Sequence, residues 1–359
     1  MEIVYYAIPF FFLTLVGEYF AIRKRVGTNG SREELDELRV QFGSQSERAR
    51  RDGPKEYSSI SRPGPRTKAA LGPKGDTNGL KGHEMRDTAA SLTMGIGSLF
   101  TSAAALIPEI AAYKFLYEFR LFDLPNVWWI WPLLILAEDH SYYWFHRMHH
   151  QSRVLWAAHI THHSSEHYNL STALRQSWTT QFTGIPFWLP LPLLGFAPEQ
   201  ILVAKSISLL YQYWIHTESI RSLGPFEWIF NTPSHHRVHH ATNPLYLDRN
   251  HGGIFIIWDR LYGTFEPEVE RPRYGIITPL KSFNPIRIAF HEWVALFRDV
   301  RQAESLGGAL KLIFGLPGYR EDGTGITSED LRRMELERRT QKSANEPSTE
   351  PPMEEPARA

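Results

Sequence analysis

Histidine is the residue type whose spacing in this chain can carry chemistry. Between Asp139 and Asn169 the sequence DHSYYWFHRMHHQSRVLWAAHITHHSSEHYN holds eight of the sixteen histidines. His146 and His150 are four apart, and His159, His162 and His163 form an H-x-x-H-H box. A second such box, His236, His239 and His240, follows later in the chain. On a helix, positions i, i+3 and i+4 share one face, so each box can present its imidazoles as a cluster. Neutral imidazole is a ligand for iron, zinc and copper. Two histidines plus two triplets supply eight nitrogens, whereas a closed mononuclear zinc site uses four. Eight therefore point to two metal ions, and the membrane context described below favours two irons.

The remaining histidines divide by position. His216, in YWIHTE at the end of an apolar run, is a candidate ninth ligand. His149 and His140 are placed outside the ligand set; His140 lies six residues before His146 and is turned to another face. His235 is also placed outside it, although it is four residues from His239. His167 and His251 adjoin the boxes as outer partners, and His83 and His291 read as surface residues. A ligating histidine usually donates its second N–H to a carboxylate or carbonyl. Asp139, Glu166 and Asp259 are the acids beside the boxes and are the candidates for that role. Arg147, Arg175 and Arg237 could hold a headgroup, a cofactor or one of these acids. A single histidine on an apolar face is ordinarily a core residue, but three boxes at helical spacing point to a common site. No catalytic group beyond the ligands stands out.

These ligands need helices to hold them, and the composition shows where helices can lie. The chain has 359 residues and no cysteine, which excludes disulfides, thiolate-ligated haem and cysteine-held iron–sulfur clusters. Lysine plus arginine and aspartate plus glutamate number 39 each, so no polyanionic partner such as nucleic acid is implied. Ile3 to Ile22 is an apolar run with one acid, Glu18, long enough to cross a bilayer. Arg23, Lys24 and Arg25 follow it and place that end in the cytoplasm by the positive-inside rule. Ala89 to Ile107 is a second uncharged run, ended by Pro108 and Glu109, with small residues suited to close packing. Val127 to Ala137 leads directly into the first histidines. Thr179 to Gly195 is broken by Pro186, Pro190 and Pro192, and with Ile201 to Ile215 it reads as a kinked or re-entrant pair. Asn250 to Phe265 is expected to form a short helix on the metal domain.

The expectation is an all-α integral membrane protein with about four membrane helices and a cytoplasmic helical cap holding a histidine-rich di-metal site. Its parts are an N-terminal membrane helix (1–26), a polar, disordered insertion (27–86), a membrane-embedded hydroxylase domain with the histidine boxes (87–316), and a charged, disordered tail (317–359). Within the insertion, Ser31 to Phe42 has the capping pattern of a short helix, with Ser31 as N-cap and Glu34 completing the box. The insertion otherwise reads as a solvated linker rather than a lipid-binding arm.

The stretches DHSYYWFHRMHH, LWAAHITHHSSEHYNLSTALRQS, NTPSHHRVHH and WDRLYGTFE resemble the fatty acid hydroxylase / sterol desaturase superfamily. The words SSEHYN and ALRQS are most similar to its alkylglycerol monooxygenase branch. The resemblance implies a membrane enzyme whose first box is His146 and His150, with two irons facing the cytoplasm (endoplasmic reticulum or bacterial inner membrane) and dioxygen as co-substrate. It implies a membrane lipid substrate, ether cleavage of O-alkylglycerols, and an electron donor for which tetrahydrobiopterin is the candidate. The alternatives are a sterol, fatty acid or carotenoid hydroxylase or desaturase of the same superfamily and, in another class, a histidine-rich metal transporter. Transporters place ionisable groups near the bilayer midplane at repeat interfaces. Here the histidines follow the apolar runs, and no inverted repeat is visible.

Overall fold

Helices form because the apolar runs carry few β-branched clusters and end at capping or proline positions. The computed structural model describes residues 2–29 and 83–345. The expected helix at Ser31–Phe42 lies outside the described residues. Among those described there is no β-strand, only two isolated bridges, Phe230 with Phe255 and Ala241 with Tyr274.

Helix α1 (Glu2–Asn29) precedes α2 (Met85–Tyr117), whose N-terminus is capped by the Glu84 carboxylate accepting from the Asp87 N–H at 2.6 Å. At 1.5 Å per residue α2 is about 50 Å long, more than a bilayer's hydrocarbon core of about 30 Å. It runs through Pro108 rather than ending there, because Glu109 is buried against Tyr113 Oη (2.7 Å) and Lys205 Nζ and ties the last turns to the bundle. Next come α3 (Ile130–Gln151) and α4 (Arg153–His163), which carry the first two histidine groups in one near-continuous stretch. They are followed by the one-turn α5 (Leu170–Ala173), α6 (Thr180–Trp188), the one-turn α7 (Pro190–Leu193) and α8 (Pro198–Trp214). The second H-x-x-H-H box lies on α9 (Pro233–His239) and its C-cap, and α10 (Ile257–Leu261) is the expected short helix after it. Helices α11 (Pro285–Arg301), α12 (Leu306–Phe314) and α13 (Ser328–Asn345) complete the described chain.

The apolar core lies where α2, α3, α6, α7 and α8 meet, around Ile130, Leu134, Trp188, Leu191 and Ile201. Helix α1 docks through Leu15 against Leu170, Ala173 and Tyr213. Its buried Glu18 accepts the Leu170 N–H (2.8 Å) and the Thr217 hydroxyl, and contacts His83 Nε2 at 3.2 Å. His83 is therefore a partner of Glu18 rather than a free surface residue.

Two expectations change. Among the described residues α2 alone is long and apolar enough to cross a membrane, not about four helices. The prolines divide residues 179–195 into helices of nine and four residues, too short to span. Helix α8 reaches 17 residues with Glu199 and Lys205 inside it, and the second half of α3 is histidine-rich. The second change concerns the tail from residue 317, which is helical over Ser328–Asn345 instead of disordered. Arg332 donates to the Leu245 carbonyl and to Glu266 Oε2 (2.8 Å), and Arg339 pairs with Glu270 at 2.7 Å. These contacts give a polar segment something to dock on, which its composition alone does not reveal.

Candidate metal centre

Nine histidines on α3, α4 and α9 with its C-cap, and just beyond the end of α8, converge in two groups. His146, His150, His159, His163 and His239 form one; His162, His216, His236 and His240 form the other. Within each group one nitrogen per ring lies within 4.8 Å of every other. All nine side chains are buried. The groups adjoin: the His163 and His240 rings stack at 4.5 Å, and His236 and His239 at 5.3 Å. His216, the candidate ninth ligand, is inside the second group.

The outer nitrogens show which way each ring is aimed. His146 Nδ1–H donates to the His251 carbonyl at 2.9 Å, His239 Nδ1–H to the Arg249 carbonyl at 2.9 Å, and His150 Nδ1–H to Asp248 Oδ1 at 3.1 Å. In the second group His216 Nδ1–H donates to the Gln212 carbonyl at 2.7 Å and His162 Nδ1–H to the Arg175 carbonyl at 3.3 Å. With Nδ1 protonated, neutral imidazole presents only a lone pair at Nε2. His216 Nε2 and His162 Nε2 nevertheless face each other at 3.2 Å. Facing lone pairs at that distance repel unless a cation lies between them. His150 Nε2 and His239 Nε2 are buried without any hydrogen-bond partner.

A proton is a poor candidate for that cation. Burial is the largest cause holding the imidazoles of His159, His163, His236, His239 and His240 well below the usual pKa of 6.5, and neighbouring rings add repulsion. His162 is lowered to about 4, again chiefly by burial. Metal–imidazole bonds of about 2.0–2.1 Å put neighbouring ligand nitrogens about 3 Å apart. The donor sets, five neutral nitrogens and four, fit two divalent transition-metal ions.

The loop between α9 and α10 holds the first group. Asp248 and Asn250 both take the left-handed conformation, at φ 55° and 57°, and the turn aims Asp248, the Arg249 carbonyl and the His251 carbonyl at three different rings. Asn250 fixes the turn, with its Nδ2 donating to the His235 and Glu266 carbonyls at 3.1 and 2.8 Å. Ser328 Oγ on α13 donates to Asp248 Oδ2. Asp248 and Ser328 were not singled out in the sequence: Asp248 stands eight residues beyond His240, and only its backbone turn brings it back.

The acids expected to touch the ligands act differently. Asp139 accepts the Ile254 N–H (2.5 Å), the Phe255 N–H (3.0 Å) and Trp258 Nε1–H (2.9 Å). Asp259 accepts the His251 and Gly252 N–H groups at 2.8 and 2.7 Å and the Thr264 hydroxyl at 2.6 Å. Both thus hold the loop that holds His146, and neither bonds a clustered ring. Close approach requires glycine here, since a Cβ on Gly253 would lie 2.6 Å from Asp139 Oδ1. Glu166 is exposed and bonds no histidine, because the turn after α4 points it outward.

Other residues are used elsewhere. His149 donates through Nδ1 to the Phe145 carbonyl (2.7 Å) and meets Thr183 Oγ1 through Nε2 (2.8 Å), so both nitrogens are occupied. His140 contacts the Tyr262 hydroxyl at 2.9 Å, and the His235 ring packs edge-on to Phe265. His251 is buried at 0% exposure with neither ring nitrogen in a hydrogen bond, its Nδ1 3.6 Å from Asp259 Oδ1 and its ring 5.2 Å from that of His150. The half-buried His167 offers its carbonyl to the Ser165 and Thr172 hydroxyls. His291 is half-buried on α11 and donates to the Ile288 carbonyl. Arg175 pairs with Asp87, Arg237 with Glu268 at 2.7 Å, and Arg147 donates to the Tyr143 hydroxyl at 3.0 Å.

The described residues form a helical fold around two adjoining histidine clusters that could each hold a metal ion. The family model for fatty acid hydroxylase matches residues 131–264. The chain is 43% identical over 245 residues to an alkylglycerol monooxygenase of Xenopus tropicalis, covering 67% of this chain and 54% of the relative. It is 44% identical over 237 residues to an alkylglycerol monooxygenase of Homo sapiens, covering 65% and 53%. An ornithine lipid hydroxylase of Rhizobium tropici is 29% identical over 175 residues, 48% of this chain and 52% of the relative. The chain spans about half the length of the curated relatives it matches. No solved structure matches. Over residues 131–264 the chain is similar to the fatty acid hydroxylase family, and its relatives at 37–44% identity are alkylglycerol monooxygenases.

Proposed function

We propose that this protein is a membrane-bound di-iron monooxygenase that hydroxylates a lipid C–H bond with dioxygen, and that its substrate is an O-alkylglycerol. The observation that carries the metal assignment is the pair of inward-facing Nε2 lone pairs on His162 and His216, whose Nδ1 protons are both committed outward. The substrate assignment rests on the similarity to alkylglycerol monooxygenases.

The ligands of one iron would be His146, His150, His159, His163 and His239; those of the other would be His162, His216, His236 and His240. Bound iron supplies dioxygen activation and C–H oxidation, which neutral imidazoles alone do not. The chain's own residues hold the donors neutral, aim them through the outer hydrogen bonds, and exclude water by burying all nine rings. An iron held by the four-nitrogen group would have fewer protein donors than one held by the five-nitrogen group. Hydroxylation at the carbon next to the ether oxygen gives a hemiacetal, which collapses to an aldehyde and glycerol. The net reaction consumes one dioxygen, two electrons and two protons and releases water. Tetrahydrobiopterin is the proposed electron donor, and the site is proposed to face the cytoplasm.

Incubation of iron-loaded protein with a labelled alkylglycerol, tetrahydrobiopterin and dioxygen tests the reading. Aldehyde should appear only when all three are present. Hydroxylated sterol or fatty acid with another donor, and no aldehyde, would keep the superfamily chemistry and reject the ether lipid. Metal transport into vesicles without oxygen uptake would reject the enzyme reading altogether.

A further inference from the structure

Helices α11 and α12 lie outside the matched residues 131–264, yet each carries an exposed apolar stripe. On α11, Ile286, Phe290, Val294 and Phe297 are all exposed, at spacings of four, four and three that put them on one face. On α12, Leu306, Leu310 and Phe314 repeat the pattern at i, i+4 and i+8. The opposite face of α11 is tied inward. Ile288 and Ala289 pack with Ala90 and Met94 of α2, and the Ile288 carbonyl accepts from Thr161 Oγ1 on the histidine-bearing α4.

The charges on α11 are sorted in the same way. Glu292 and Asp299 turn inward, where Arg153 on α4 donates to both at 3.1 and 2.6 Å. Arg287, Arg298 and Arg301 are exposed along the apolar stripe and form no ion pair among the described residues. At 100° per residue Arg287 and Arg298 fall beside the stripe and Arg301 within its last turn, where its guanidinium lies 5.6 Å from the Phe297 ring. An apolar face edged only by cations suits an anionic lipid surface, in which acyl chains receive the side chains and phosphates the guanidinium groups.

The position along α2 agrees. Helix α11 packs against the first turns of α2, where Glu84 and Asp87 are polar and Asp87 pairs with Arg175; beyond Met94 the exposed residues of α2 become Ile96, Leu99 and Phe100. The contact thus falls at the polar end of the spanning segment, the level of the lipid headgroups if α2 crosses the bilayer. We propose that α11 and α12 form an interfacial platform that lies on an anionic leaflet, with Arg287, Arg298 and Arg301 contacting lipid phosphates, and that it fixes α4 and its histidines at the membrane surface. This rests on the membrane reading above for α2.

The absence of cysteine from the chain allows clean single-cysteine probes. Full-length Phe297→Cys and Leu310→Cys variants would carry an environment-sensitive fluorophore in vesicles of phosphatidylcholine and phosphatidylglycerol. Phe100→Cys on α2 and Leu336→Cys on α13 are the membrane and aqueous references. Probes at 297 and 310 should be quenched several-fold more by a nitroxide near the lipid headgroup than by aqueous iodide, and the probe at 336 the reverse. Replacing Arg287, Arg298 and Arg301 with Gln should lower lipid quenching in the anionic vesicles and leave it unchanged in pure phosphatidylcholine. Iodide quenching at 297 and 310 with lipid quenching at 100 would overturn the platform while keeping the membrane reading. Protection from both quenchers would mean that a second copy or another protein covers these helices, which also overturns it. Iodide quenching at 100 as well would remove the membrane reading itself.

Discussion

The two histidine groups share helices and burial but are supported differently. The four-nitrogen group is braced by main-chain carbonyls in or next to helices: His216 Nδ1 donates to the carbonyl of Gln212, one turn earlier on the same chain segment, and His162 to that of Arg175 just beyond α5. The five-nitrogen group is braced across the fold by residues 248–251, a turn with two left-handed residues that is held by Asn250, Asp259 and the C-terminal helix α13. A helical carbonyl acceptor such as that of Gln212 comes with the helix, whereas the 248–251 turn must be assembled from segments far apart in sequence. The first group should therefore be the one that mutation can disturb separately.

The largest test of this difference is a pair of ligand deletions. His239→Ala should abolish lipid oxidation and leave about one iron per chain bound, because the second group keeps its four donors. His236→Ala should abolish activity and empty the other position. Metal analysis of the purified variants checks both, and loss of both irons from either variant would show that the groups bind as one unit.

Asp248→Ala should come next. Removing the acceptor of a ligating histidine typically lowers metal affinity about 10–100-fold, and here the loss should be confined to the five-nitrogen group. Chelator competition that releases one iron early and the second at the wild-type rate is the expected result.

Acid should act on both groups in metal-free protein. His162 has a folded pKa of about 4, below its unfolded value near 6.5, so the unfolded chain takes up its proton first. Stability contributed by the neutral ring is present above about pH 6.5 and is lost as the pH falls towards 4, at about 1.4 kcal/mol per pH unit for this one group. Denaturation midpoints measured between pH 7 and 5 should fall, and His162→Asn should flatten the slope.

A smaller effect is expected at Ser328. Ser328→Ala removes the donor to Asp248 Oδ2; it should weaken iron binding a few-fold in the five-nitrogen group alone, and Ser328→Thr should restore it. Smallest of all is Glu166→Gln, which should leave iron content and activity unchanged because that side chain is exposed and bonds no histidine.

Much of the centre was readable because helical geometry is local. Within an H-x-x-H-H box the first and last histidines are about 40° apart around the helix and the middle one about 60° to the other side. That rotation is why His159 and His163 stay together while His162 departs, and why His236 and His240 stay together while His239 departs. The apolar runs likewise marked α2, and the triple proline pattern marked the broken segment at residues 179–195. The count of membrane helices was less legible, since the apolar run at residues 201–215 folds into a helix of 17 residues that also takes in Glu199 and Lys205. The tail helix α13 was invisible for the opposite reason: a charged helix forms where ion pairs receive it, and the receiving carbonyl and carboxylates belong to residues 245–270.

What the sequence determined by itself was the donor chemistry, nitrogen without sulfur, and the angular order of ligands on each helix, because both follow from residue type and a fixed helical rotation. Only the tertiary structure decided which histidines share a cluster, that His216 joins one of them, and that Asp248, not Glu166, accepts from a clustered ring. Those outcomes depend on how α3, α4, α8 and α9 cross, and on a turn that reverses the chain at residues 248–251. Contacts between segments so far apart are selected by packing and burial over the whole molecule, which no local spacing records.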